Sequence, residues 1–302
     1  MDIDFKKELW LDSFEVEYKK ANPIFTLFSS KPAPIGVGHV NVPIIGAGEI
    51  QDLDRGIAPD LAGMVNGEVQ ISINKHKAYD ETFNDLDAVQ YDVDARSAFV
   101  ETATPAHLGA IDSDLFTILE AYRSLNSLSA ADYLVATATP VEDDDEKIAK
   151  EVQRLLTKAL GKMKKRLGKD GVNRRFLLLD SFCHDNLVMG SPKQSPERLD
   201  VPFGYARGTA NPILGTQPYD AGVLTRTLVA EDEYFGEHTI IRGFLCMPSA
   251  VGVGVQVLPD IEAERSASKR ETRLCTTGRY GMKSVLTKQY CELYIKVLGD
   301  HT

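Results

Sequence analysis

Apolar and polar positions follow two different periods along this chain, and the change between them falls near residue 85. Before it, Val69, Ile71 and Ile73 alternate with Gln70, Ser72 and Asn74, the period of two expected of a strand with one buried face. After it, steps of 3.6 residues from Leu86 land on or beside Val89, Val93, Ser97, Val100, Thr104, Leu108, Ile111, Leu115, Ile118, Tyr122 and Leu125, a single helical stripe. At about 1.5 Å per residue, roughly 40 such residues would extend about 60 Å, so the spacing predicts a spine that must pack against something extended. Pro105 lacks an N–H and crowds the carbonyl four residues back, which predicts a kink or a break near Thr102 to Thr104. The stripe resumes in phase after it, favouring a kink over two core helices joined there.

Ahead of the spine, residues 5 to 29 set Phe5, Leu9, Trp10, Phe14 and Tyr18 among charges, an amphipathic segment helical until about Pro23. So aromatic a terminal segment needs a surface to lie on, on its own domain or on a neighbouring chain. Gly38 to Gly46 and Gly67 to Phe83 read as strands joined by a polar connection of about 20 residues, long enough to suggest a binding element. Its tip carries Asp52, Asp54, Arg55 and Asp60 without the order of a calcium loop, so a solvated or subunit-contacting loop is expected.

Behind the spine, Thr139, Pro140 and Glu142 spell an N-cap, a first-turn proline and a capping acid, and a helix is expected to start there. Ile148, Val152, Leu155, Ala159, Met163 and Leu167 form its apolar face. Asp143 to Asp145 near its start and Lys162, Lys164, Lys165 and Arg166 near its end complement the helix dipole, and Gly168 ends it, so these charges need no ligand. Arg175 to Leu179 read as a buried strand and Ser181 to Met189 as a short helix stopped by Gly190. Residues 190 to 236 form a Pro- and Gly-rich excursion with at most one hairpin. Strands at Thr239 to Met247, Val251 to Leu258, Arg273 to Val285 and Tyr290 to Val297 close the chain.

Composition narrows the classes. The 302 residues are 43% hydrophobic and 26% charged, enough apolar material for one large or two modest cores and too much for a disordered chain. The net charge of −10 and the absence of an obvious basic face argue against broad nucleic-acid binding. No apolar run reaches the roughly 18 residues of a membrane span, and MDIDFKKELW lacks the features of a signal peptide, so a membrane-free protein made in the cytoplasm is expected.

Candidate chemistry is sparse. Cys183, Cys246, Cys275 and Cys291 form no C-x-x-C pair and read as reduced core residues. Cys183, His184 and Asp185 are types used in thiol catalysis, but neighbours on a helix point about 100° apart, so a buried Cys183 beside an exposed His184 is expected. Gly36, Gly38, Gly46 and Gly48 make two G-x-G fragments that never extend to a nucleotide-binding loop, and no two histidines take metal-ligand spacing. No catalytic, cofactor-binding or metal-binding residue is assigned.

The order of elements, with INKHKAYDETFNDLDAVQYDVD running into LGAIDSDLFTIL, resembles the major capsid proteins of tailed phages, of podophage type, with the Hong Kong 97-like fold. LLLDSFCHDNLVMG is similar to a strand and short helix of the axial domain, and GRYGMKSV to a strand of the peripheral domain. The resemblance implies an α+β fold. Its parts would be an N-arm at 1–33, an extended E-loop hairpin at 34–85, a peripheral domain with the spine helix at 86–129 and 246–302, and an axial domain at 130–245. It implies a coat protein that self-assembles as hexamers and pentamers into an icosahedral virion shell around double-stranded DNA, without enzymatic activity. Trp10 and Phe14 in the arm, and Asp52, Asp54, Arg55, Asp60 and Met64 in the loop, are then the expected subunit-contact residues. Strand pattern begins by about residue 38, which leaves no room for a removable scaffolding segment and implies a separate scaffolding protein. A portal and a decoration protein are further implied partners, and DNA would be touched weakly, as excess acid suits a non-adhesive inner wall. The alternatives are an encapsulin-like nanocompartment shell and an α+β enzyme using Cys183.

Overall fold

The structure, a computed structural model, describes residues 24–34, 36–44, 67–84, 95–124, 134–167, 174–189, 213–230, 234, 236–266, 268–286 and 289–301. In chain order its strands are β1 (Ser29–Pro32), β2 (His39–Ile44), β3 (Gly67–Ser72), β4 (Lys75–Asn84), β5 (Leu134–Thr137), β6 (Phe176–Leu179), β7 (Gln217–Asp220), β8 (Arg226–Val229), β9 (His238–Cys246), β10 (Val251–Ser266), β11 (Glu271–Ser284) and β12 (Tyr290–Leu298). The α-helices are α1 (Ala95–Ser124), α2 (Asp145–Leu167) and α3 (Ser181–Met189), so the α+β expectation holds. Contacts group the chain into two units, one up to Ile118 plus Val251–Val285, the other Leu119–Ala250 plus Leu286 onward.

The first unit is built on a four-stranded sheet in the order β1-β10-β11-β4. Its long ribbon β10–β11 is antiparallel, and β1 adds to it in parallel register from Ser29 opposite Gly252 to Pro32 opposite Val255. The run expected as one strand from Gly67 to Phe83 is two strands with different partners: β3 pairs with β2, and β4 with β11. Helix α1 buries Phe99, Val100, Ala103, Thr104, His107, Leu108, Ile111 and Leu115, the predicted stripe widened by one position at its first turns. Phe99, Val100 and Ala103 pack with Leu274 and Tyr79.

Across Pro105, α1 is one helix of 30 residues, without the break considered above. Pro105 and Glu101 are both exposed, so the carbonyl that loses its donor can turn to water, and the stripe on the other side holds the turns in phase. Leu86, Val89 and Val93 lie outside the described residues.

In the second unit the sheet order is β5-β12-β9-β6-β7, with β8 also on β9. Helix α2 lies on it: Ile148, Val152, Leu155, Leu156, Ala159 and Met163 are fully buried in one core with Leu177, Leu179, Ile241, Leu245, Leu293 and Ile295. Burial of this many aliphatic side chains, at about 2 kcal/mol each, dominates the stability of this unit. The helix begins at Asp145, later than Thr139 and Pro140 suggested. Ala138 and Val141 donate backbone N–H groups to Tyr294 and Lys296, which prolongs the extended run, and Asp144 is the cap, accepting from Glu146 N–H at 3.0 Å.

In the excursion over 190 to 236, Ile213 and Thr216 exchange backbone hydrogen bonds at 2.9 Å across a two-residue turn, while β7 pairs in parallel with β6 and β8 pairs with β9. One further expectation changes. Strand β12, grouped above with the spine, pairs with β5 and β9 in the second unit's sheet.

Candidate functional site

The long loop predicted between β2 and β3 stands on a root whose geometry can be followed atom by atom. Val40 faces Ile71 and Val42 faces Val69 across the β2–β3 ladder, and Ile73 N–H donates to the carbonyl of Gly38 at 2.9 Å. Beneath it, β10 and β11 present glycine instead of side chains: Gly252 lies opposite Lys283 and Gly254 opposite Gly281. A methyl group on Gly252 would lie 2.6 Å from Ile71 Cδ1, and one on Gly254 2.9 Å from Ile73 Cδ1. On Gly281 it would lie 2.0 Å from the carbonyl oxygen of Ser72, inside any permitted contact. The hairpin root is thus seated in a three-glycine cradle, and the chain crosses from one sheet to the next over Gly281.

Helix α1 ties the neighbouring elements down. Asp114 accepts the Tyr280 hydroxyl at 2.7 Å and pairs with Lys75 at 3.3 Å and Lys77 at 3.5 Å, so β4, β11 and α1 meet at one carboxylate. Burial pushes the Asp114 carboxyl up, but the hydrogen bond from Tyr280 and the two lysines hold it below the ordinary value. Asp112, two residues earlier on the helix, accepts backbone N–H groups of Ile24 and Phe25, fixing the 3-10 turn Ile24–Leu27. Burial outweighs those two bonds and raises its pKa to about 6.

In the second unit Asp180 is fully buried and accepts four hydrogen bonds: Phe182 N–H at 2.9 Å, Leu224 N–H at 2.9 Å, and Arg226 Nη2 and Nε at 2.7 and 3.1 Å. Arg226 also donates to the carbonyl of His301 at 2.8 Å. The cluster fills the seam along β9 where β6 stops opposite Gly243 and β8 starts opposite Ile241.

Of the residues singled out in the sequence, Trp10, Phe14, Asp52, Asp54, Arg55, Asp60 and Met64 lie outside the described residues. Cys183 is fully buried as expected, and its thiol pKa is driven far up by burial, with Asp180 adding to it. His184 is buried as well, only 4% exposed, because it sits on the face of α3 that packs inward, and its nearest carboxylate is Asp185 at 3.6 Å. Cys246, Cys275 and Cys291 are raised too, chiefly by burial, to about 11 for Cys275 and about 12 for Cys291. No thiol here is poised as a nucleophile. Among the described residues no helix is long and apolar enough to cross a membrane. The glycine cradle went unread in the sequence, although glycine at alternate positions of a valine-rich strand was its signal.

No protein-family profile matches the chain, and no curated protein matches it. Solved structures do. The mature capsid of bacteriophage PhiM1 superposes with a TM-score of 0.62 over 91% of this chain and 87% of its own, at 9% identity. The chain has the fold of phage capsid proteins. The capsid of the cyanophage P-SCSP1u agrees, with a TM-score of 0.62, 16% identity, and 92% and 89% of the two chains covered. A virus-like particle from Pyrococcus furiosus shares the capsid fold at a TM-score of 0.54 and 11% identity, over 95% and 99%.

Proposed function

We propose that this protein is the major capsid protein of a tailed phage, with the Hong Kong 97-like arrangement of N-arm, E-loop, spine helix, peripheral and axial domains. It assembles as hexamers and pentamers into the icosahedral shell of the virion, around double-stranded DNA. The observation that carries this reading is the near end-to-end likeness to capsid subunits, close to nine-tenths of both chains. The physics of a shell suits the rest. Arms and loops spread contact over several neighbours, and closed symmetry multiplies interfaces that are modest singly. In this reading the glycine cradle is the anchorage of the E-loop, and Asp112 on the spine holds the end of the N-arm. Trp10, Phe14, Asp52, Asp54, Arg55, Asp60 and Met64 are the contacts made with neighbouring subunits. Scaffolding protein, portal and a decoration protein complete the set of partners, and no enzymatic step belongs to the role.

The likeness to the virus-like particle keeps one rival, an encapsulin-like shell around protein cargo. Negative-stain electron microscopy of the purified protein, expressed with and without its neighbouring genes, tests both. Capsomer rings or closed shells tens of nanometres across, empty or holding DNA, support the phage reading. Shells filled with protein support the rival, and small monodisperse particles under every condition sink both.

A further inference from the structure

We propose that the exposed face of the second half of α2 binds double-stranded nucleic acid through its phosphates. The inference rests on the shell reading only for the source of that DNA; the surface itself is a property of α2. The chain has a net charge of −10, yet α2 holds eight basic and three acidic side chains, a net of +5. Its apolar stripe is committed to the core, and Lys158, Lys162, Lys164 and Lys165 of its second half are exposed.

The first half of the helix is internally matched. Lys147 pairs with Glu142 and Asp144, Lys150 with Glu146, and Arg154 with Glu151. From Lys158 onward α2 has no acid, and Lys158, Lys162, Lys164, Lys165 and Arg166 follow within its last ten residues. Lys162 reaches the carbonyl of Val135, while the exposed Lys158, Lys164 and Lys165 make no ion pair with a described residue. Lys158, Lys162 and Lys165 stand at i, i+4 and i+7, a row of cations about 6 and 4.5 Å apart along one side of the helix. The dipole at this end is worth only about half a negative charge, so it leaves most of that field uncancelled. The basic end of α2 is therefore more than a complement to the dipole, a local excess hidden within the total of −10.

The chemistry favours nucleic acid over an acidic protein. Thr157, Lys158, Gly161, Lys162, Lys164 and Lys165 are the exposed positions of this half, and none offers an aromatic or aliphatic anchor. Protein interfaces are depleted in lysine and lean on Trp, Tyr and Arg. A duplex backbone needs only point charges in a row, each displacing a condensed counterion. Three unmatched lysines make the contact weak and salt-sensitive, in keeping with a wall that holds DNA without trapping it.

The test is fluorescence anisotropy of the full-length protein with a labelled duplex of about 30 base pairs, between roughly 50 and 200 mM salt. Wild-type affinity is expected to fall linearly on a log–log plot, and the triple variant Lys158→Gln, Lys164→Gln, Lys165→Gln to flatten the slope by about 2.7. A control with the same charge change in the first unit, Lys269→Gln, Arg270→Gln, Arg279→Gln, keeps the wild-type slope. Absence of salt-dependent binding by the wild type, an unchanged slope in the triple variant, or an equal loss in the control overturns the proposal. So does binding of poly-glutamate in place of the duplex. Should the triple variant melt early, Lys158→Gln and Lys165→Gln singly must each flatten the slope by about 0.9. Electron microscopy of the same samples separates the two readings: shells without duplex binding remove this proposal alone, and duplex binding without shells removes the shell alone.

Discussion

The carbonyl oxygen of Ser72 lies over Gly281 so closely that a Cβ on Gly281 would stand 2.0 Å from it. The obstacle is backbone on both sides, so no rotamer change relieves it. Gly281→Ala is expected to cost about 3 kcal/mol, at the upper end of overpacking, by forcing β3 off β11. At Gly252 the nearest atom is the flexible end of Ile71 at 2.6 Å, so Gly252→Ala is expected to cost about 1 kcal/mol. Urea unfolding of the two variants should rank them in that order; equal costs would mean the cradle does not hold the hairpin root.

Asp112 predicts a pH dependence. Its pKa is raised to about 6, above the ordinary carboxylate value, so the folded protein holds a proton there that the unfolded chain has already lost. Stability from this residue is full below about pH 4 and is lost as pH rises through about 6, by about 3 kcal/mol. Asp112→Asn keeps an acceptor for Ile24 and Phe25 and removes the buried charge. The variant should therefore be more stable than wild type at pH 8 and about equal at pH 4. A variant destabilised at both would show that the ionised carboxylate is needed to hold the turn.

What was legible in the sequence was whatever repeats locally. The apolar face of α2 and the stripe of α1 were readable because burial recurs every third or fourth residue, and β9 and β12 because their residues are apolar enough to stand as runs. The division of Gly67 to Phe83 was not, because Ile71 and Ile73 keep the same alternation through the point where the chain changes sheets. What divides the run is Gly281, some 200 residues later, acting through a contact that no local pattern encodes. Strands β1 and β5 are four residues each, held in parallel by β10 and β12, so tertiary partners rather than propensity make them strands. Thr139 and Pro140 had good capping chemistry, but the ladder to β12 continued past them and Asp144 took the role.

Asp180 and Arg226 form a pair whose members are unequal in what they leave behind. Arg226→Met removes two bonds to Asp180 and strands a fully buried carboxylate with the N–H groups of Phe182 and Leu224 alone. The expected cost is about 3 to 5 kcal/mol, seen as a lower urea midpoint. Adding Asp180→Asn should return part of that loss, since the uncompensated charge is gone. A double variant no better than the single one would place the cost in the lost contact to His301 instead.

The thiols give the sharpest test against the enzymatic alternative. Burial raises the pKa of all four cysteines, and Cys183, the one beside a histidine, is fully enclosed. A nucleophilic cysteine needs a depressed pKa and access, and none of these has both. The native protein at pH 8 should therefore react slowly with a disulfide-exchange reagent, Cys275 first because it alone is partly exposed. After denaturation all four should titrate at once. A single fast-reacting thiol mapped to Cys183 in the native protein would reverse the argument, since it would require an opening of α3 that brings a thiolate to the surface.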